Sequence, residues 1–284
     1  MRIPINGYWL KPRDFHLALL LTLTSGVIPR LSAAPVVTSV VNAASYGDPQ
    51  LPGSLITAGS IFVVTGTGLG PANPANLTIA PAAFQSTSLS GTSVSVTVNG
   101  KTVNALMYYT SATQVAALMP SSTPGSGFPV APTTIMVTYN GEASAPTSFQ
   151  GVGISVGLFT VDSSGGGPAI VTYPDYSLVS AVPAANCGGP NTACGSANAG
   201  DTLTLWATGL GPLPGNDGPS SLGQSIPSPL TVWLGGVQAQ FFIKADPGAA
   251  SGWTKLSSRF RTTCPRAAPC RWWFRSQLHP ATAP

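Results

Sequence analysis

Only two histidines, His16 and His279, occur in the 284 residues, and both lie near the ends of the chain. A serine or cysteine nucleophile needs a positioned base, most often histidine. A Ser-His-Asp or Cys-His site is therefore excluded from the body, and so is a multi-histidine zinc centre. Acid–base chemistry is left to seven acids between residues 35 and 250: Asp48, Glu142, Asp162, Asp175, Asp201, Asp217 and Asp246. Two of them facing each other across a cleft would make a paired-carboxylate glycosidase. Asp48, Asp175, Asp217 and Asp246, however, stand beside Gly, Pro or Tyr, where a short acid closes a turn. Asp162, Asp201 and Asp217 offer the loop oxygens that calcium prefers, but no ligand series like that of an EF-hand loop accompanies them. Neither a metal nor a cofactor is expected.

Three further groups carry weaker signals. Gly66, Gly68 and Gly70 in "GTGLGP" have the look of a dinucleotide loop, which needs a following helix to present its amides to phosphate. Pro71 and Pro74 follow instead, so the glycines are expected to serve a strand-to-loop turn. Tyr108, Tyr109, Trp206 and Trp233 would stack on sugar rings if exposed, although aromatics in alternating strands more often face a core. Asn76-Leu77-Thr78 fits a glycosylation sequon, a three-residue pattern common by chance.

The charges are confined to the chain ends. Of twelve Lys and Arg, only Lys101 and Lys244 lie between residues 35 and 250, against seven acids, a net charge of −5 there. The alkaline pI describes the ends, and a nucleic-acid partner is not expected for the body. At the N-terminus, Arg2, Lys11 and Arg13 precede the apolar run "FHLALLLTLTSGVI" and the small residues Ser32, Ala33 and Ala34. That order is the one an export signal has, and the run is short for a membrane span. Residues 1–34 are expected to be a signal peptide cut after Ala33 or Ala34, leaving a secreted or extracytoplasmic protein without a stable membrane span. In such a compartment Cys187 and Cys194, flanking "GGPNTA", are expected to form a disulfide; a zinc alternative lacks two further ligands nearby.

The elements between the ends are strands. Short runs of Val, Ile, Thr and Phe alternate with Gly, Pro, Asn and Ser clusters, and no sustained apolar period near 3.6 follows residue 35. Asn99-Gly100 and Asn140-Gly141 sit between alternating segments and predict tight type I′ hairpins. "AGSIFVVTGTGLGP" from Ala58 and "AGDTLTLWATGLGP" from Ala199 agree at seven of fourteen positions, and "VTVNG" and "VWLGG" follow each in turn. The spacing suits two tandem domains rather than a solenoid.

These stretches, with "VVNAASYGDPQLPGSLITAGS" ahead of the first, resemble the uncharacterised C-terminal domain family abundant in acidobacterial secreted proteins, itself distantly similar to immunoglobulin-like domains of the IPT/TIG type. The resemblance spans residues 36–250 or so. It implies a bacterial β-sandwich outside the cytoplasm, and it carries over neither an activity nor catalytic residues.

The chain then departs from both the repeat and the resemblance. "RFRTTCPRAAPCRWWFR" holds five arginines and two adjacent tryptophans. Tryptophan has one codon, so Trp272-Trp273-Phe274 is UGG UGG UUY, which one base earlier gives Val-Val preceded by Leu, Met or Val. The same shift permits "LDQI" over residues 252–256 and "FPDNVPAGCAVPVVV" over residues 259–274. The first domain continues past "VTVNG" with "SATQVAALMP" and "TTIMVTYNG", a Gln-containing strand and a Val-rich one, and the resemblance implies a Gln-Ile strand and a Val-Pro turn here. Residues 252–284 are therefore expected to be a non-native, frame-shifted tail. A cationic Trp-rich membrane segment is the competing expectation, against which Pro265 and Pro269 interrupt any helix.

The expected organisation is all-β: a signal peptide (1–34), an immunoglobulin-like sandwich (35–152), a second, incomplete one (153–251) and the tail (252–284). The expected role is a non-catalytic secreted or envelope interaction module for an extracellular protein or glycan, acting through end loops, with association through an exposed strand edge. The alternative is a carbohydrate-binding accessory domain or a glycan-active enzyme with paired carboxylates.

Overall fold

The computed structural model describes residues 33–47, 53–76, 86–124, 132–151, 153–179, 201–212, 217, 232–234, 237–245 and 254–259. Residues 1–32 of the expected signal peptide 1–34, the expected disulfide partners Cys187 and Cys194, and residues 260–284 lie outside them. Every strand pairing is antiparallel, and no helix occurs among the described residues.

In the first half, one sheet runs β1 (Val36–Asn42), β2 (Ile61–Thr67), β8 (Gln114–Leu118), β7 (Leu106–Thr110), β3 (Ala75–Asn76). The other runs β10 (Glu142–Ala143), β9 (Pro132–Tyr139), β5 (Thr92–Val98), β4 (Ser88–Leu89), with β11 (Thr147–Gln150) on β9 and β6 (Lys101–Asn104) on β5. The period-two pattern of β5 turns Thr92, Val94, Val96 and Val98 inward and half-exposes the serines and threonine between them. Those valines meet Phe62, Val64, Val115, Ala117 and Met107 of the first sheet and Ile135 and Val137 of β9 in one apolar cluster, so the two sheets face each other across a shared core. Phe62 is fully buried in it, and truncation to alanine there would cost about 3–5 kcal/mol.

The hairpins follow the turn chemistry. Asn99 and Gly100 have φ of 49° and 74°, Asn140 and Gly141 49° and 90°, the two left-handed residues a type I′ turn requires. Ser90-Gly91, at 47° and 80°, joins β4 to β5 in the same way. The sequence had not singled it out, because serine is a weak turn marker.

In the second half, one sheet runs β12 (Gly157–Leu158), β14 (Thr202–Thr208), β17 (Thr254–Arg259), β16 (Val237–Ala245), β15 (Val232–Leu234), with β13 (Val171–Thr172) also on β14. β17 lies within the stretch set apart as tail; its backbone fills the place between β14 and β16, with Leu256 opposite both Leu205 and Ile243. Backbone pairing is indifferent to which side chains it carries, and either reading frame supplies a backbone for this slot.

Candidate interaction surface

The two halves meet through backbone and small side chains. The Leu55 amide donates to Ser155 Oγ at 3.2 Å, the Thr57 hydroxyl to the Gly153 carbonyl at 2.7 Å, and the Ile61 amide to Thr208 Oγ1 at 2.9 Å. Gly59, at φ 75°, comes so near Gly211 that a Cβ would stand 2.6 Å from its carbonyl oxygen. Asp217, buried, closes the junction: its carboxylate accepts from the Ser121 amide at 2.7 Å and the Ser121 hydroxyl at 2.5 Å. Charge-assisted bonds of this kind are the stronger ones.

Two loops extend from this junction. Residues 43–47 follow β1 and turn at Tyr46, a non-glycine at φ 45° and 48 % exposed, whose hydroxyl accepts from Gln114 Nε2 at 3.1 Å. Residues 159–170 separate β12 from β13 as a small hairpin, bridged between Thr160 and Ala169, with the Val161 amide donating to the Pro168 carbonyl. Its tip crosses to the first half: a Cβ on Gly165 would lie 2.6 Å from Ser45 Cβ. The two loops thus touch, and next to the contact they present Tyr46 and Val161, the latter 74 % exposed.

Two of the acids, Asp162 and Asp175, are spent on their own turns. Asp162 Oδ1 accepts from the Ser164 amide and hydroxyl, and hydrogen bonds from Thr160 and Ser164 hold its carboxyl below the usual range. Asp175 does the same with the Ser177 hydroxyl and amide, which lower it likewise. Glu142 is exposed on β10, and Asp201, at the start of β14, is half-buried; Asp48 and Asp246 lie outside the described residues. Burial, then Asp201 and Asp175, push the Tyr173 phenol up. No group of three or more His, Cys, Asp or Glu side chains among the described residues is placed to hold a metal ion. Nor is any described helix long and apolar enough to cross a membrane.

Of the aromatics, Tyr108 and Tyr109 are half-buried on β7, and Trp206 is buried with its Nε1 donating to Thr172 Oγ1 at 3.1 Å. The side chain of Trp233, on β15, lies outside the description. Tyr176, which sequence reasoning passed over, lies on Trp206 with ring centroids 6.1 Å apart and planes at 29°. It is 55 % exposed and sits at φ 66°, strain that tertiary packing must hold. The glycines of "GTGLGP" serve a turn, Gly68 at φ 65° and Gly70 packed against Thr110 and Ser111. Tyr46 and Val161 gave no signal in the sequence, and Asp217 read there only as a turn or loop acid, since each owes its position to a loop or junction fixed by distant residues. No family model matches the chain, and no curated protein matches it.

Proposed function

We propose that this protein is an extracytoplasmic, non-catalytic binding module made of two duplicated immunoglobulin-like halves, and that the paired loops 43–47 and 159–170 form its ligand-contacting surface. The observation that carries the reading is the meeting of these loops, one from each half, beside the exposed Tyr46 and Val161. Loops on a rigid scaffold are where binding residues concentrate, and exposed aromatics supply contact area at small entropic cost. The acids weigh against hydrolysis because Asp162 and Asp175 are engaged in their turns and Asp217 in the junction.

Duplication is supported by register. Val36 stands opposite Thr67 and Val37 opposite Gly66; Gly157 stands opposite Thr208 and Leu158 opposite Ala207. Further on, Val40 and Val41 face Val64 and Val63, as Val171 and Thr172 face Leu205 and Thr204. The hairpin 159–170 is then an insertion at the point where β1 carries a bulge, between Val37 and Ser39. Bulges are places where a strand tolerates extra residues. Among the described candidates a glycan-binding reading draws on Tyr176, with Tyr108 and Tyr109 half-buried and Trp206 beneath Tyr176 buried.

The test is binding of the exported chain to arrays of extracellular proteins and polysaccharides. Tyr46→Ser with Val161→Ser should weaken a bound ligand by tenfold or more, about 1.4 kcal/mol, without changing the fold. A polysaccharide whose binding depends on Tyr176 and not on these two positions would overturn the assignment of the surface.

A further inference from the structure

We infer that the Thr67-Gly68 corner of the first half is a docking surface for a second copy of this chain, which seats the start of its β14 there, head to tail. The inference rests on the duplication proposed above. In the second half the corner Thr208-Gly209 is closed by the first half: Thr208 is 0 % exposed and its hydroxyl accepts the amide of Ile61, the first residue of β2, and a Cβ on Gly209 would stand 3.3 Å from Thr57 Cγ2. Ser155, on the adjoining strand approach, is buried too and accepts the Leu55 amide.

In the first half the corresponding Thr67-Gly68 is bare, although Leu69, the counterpart of Leu210, is 0 % exposed in its own sandwich core. Thr67 and Gly68 are both exposed. Val36, opposite Thr67, is 58 % exposed, one of four large apolar side chains so open among the described residues. Nothing in a lone sandwich requires an apolar side chain there, whereas an interface would cover it.

The element that fills this kind of corner also recurs. Thr202, the first residue of β14, corresponds to Ile61, and the two are preceded in the sequence by Ala-Gly-Asp and Ala-Gly-Ser. A single chain joins the first half's strand start to the second half's corner. Among the described residues one strand start, at the half-buried Thr202, and one corner then remain, on opposite halves, and joining them between molecules repeats the internal contact. Such an interface of two unlike surfaces adds copies in line or closes a ring. The corners differ at one point: a Cβ on Gly157 would stand 2.7 Å from Asn42 Oδ1 and 3.1 Å from Ala44 Cβ, whereas the first half has Val36 there. The second copy must therefore ride over the Val36 methyls instead of closing on bare backbone, which makes the contact between copies more apolar than the internal one.

The test mixes exported chains carrying T67C with exported chains carrying T202C, oxidises them and maps the disulfides by peptide mass spectrometry. The expected product is a bond between the two introduced thiols on different chains. In sedimentation velocity the unsubstituted chain should grow in mass with concentration, and Thr67→Arg, at an exposed site, should raise the concentration needed by about tenfold or more. A single-chain mass at every concentration, or bonding of T67C only to itself, overturns the proposal. An intrachain L55C/S155C disulfide checks the internal junction. If it forms while the T67C/T202C bond does not, docking fails and the reading of two joined halves stands; if it fails to form, that reading falls first.

Discussion

Replacing Asp217 by alanine removes a carboxylate that receives two hydrogen bonds from Ser121, ninety-six residues away in sequence. Ser121 lies just beyond β8 in the first half, so the loss falls on the junction and leaves the sandwich core intact. A hydrogen bond to a charged group is worth about 1.5–3 kcal/mol, and two bonds sharing one carboxylate and one serine are less than additive. The expected cost is therefore about 2–4 kcal/mol, with Asp217→Asn near the lower end because its amide oxygen still accepts from the Ser121 amide. At about 2–4 °C per kcal/mol for a chain of this size, the melting temperature should fall by several degrees. The assay is urea unfolding followed by fluorescence and by circular dichroism. Because every tryptophan after residue 35 stands at or beyond Trp206, Asp217→Ala should let the fluorescence change before the bulk β signal. An alanine variant within about 0.5 kcal/mol of the parent, with coincident transitions, would refute the junction.

Other outcomes follow from charge and register. The lowered carboxyls of Asp162 and Asp175 stabilise their turns above the unfolded aspartate value near 3.9 and lose that contribution as pH falls through the lower folded values. Protection of the Ser164 and Ser177 amides, taken relative to the intrinsic exchange rate at each pH, should be lost only below about pH 4, and midpoints at or above the usual aspartate value would contradict the turn geometry. With Lys101 and Lys244 as its only basic residues, the segment 35–250 should show no salt-dependent affinity for DNA, since two cations neutralise few phosphates. Micromolar binding that weakens steeply with salt would contradict this. Resequencing the gene around the codons for residues 249–252 should reveal a single-base offset. β14 pairs Trp206 with Lys255 and Leu205 with Leu256, as β2 pairs Thr65 with Gln114 and Val64 with Val115, so in the shifted frame the Gln-Ile of "LDQI" would fall where Gln114-Val115 stand. Restoring that frame should raise stability by several kcal/mol as apolar strand is regained, and an unchanged melting temperature would count against it.

What the sequence made legible was local. Strand positions and the two Asn-Gly turns follow from period-two alternation and from the left-handed angles that Asn and Gly accept most readily. Trp206 was legible as a strand aromatic facing inward. What stayed hidden depends on contacts far apart in sequence. Nothing around Asp217 marks it as the partner of Ser121, and "VDSSGGGP" reads as an ordinary loop until Gly165 is found against Ser45. The different fates of Thr67 and Thr208 were likewise invisible, because the two stand in nearly identical motifs and differ only in what covers them.

An experimental structure of the exported chain, with its two halves superposed, tests the central claim most directly. The account predicts the order β1-β2-β8-β7 repeated as β12/β13-β14-β17-β16, Thr67 and Thr208 at the same place, and the loops at Tyr46 and Val161 in contact beside the junction. A second half with a different strand order, or halves that swing freely with Asp217 and Ser121 apart, would contradict it.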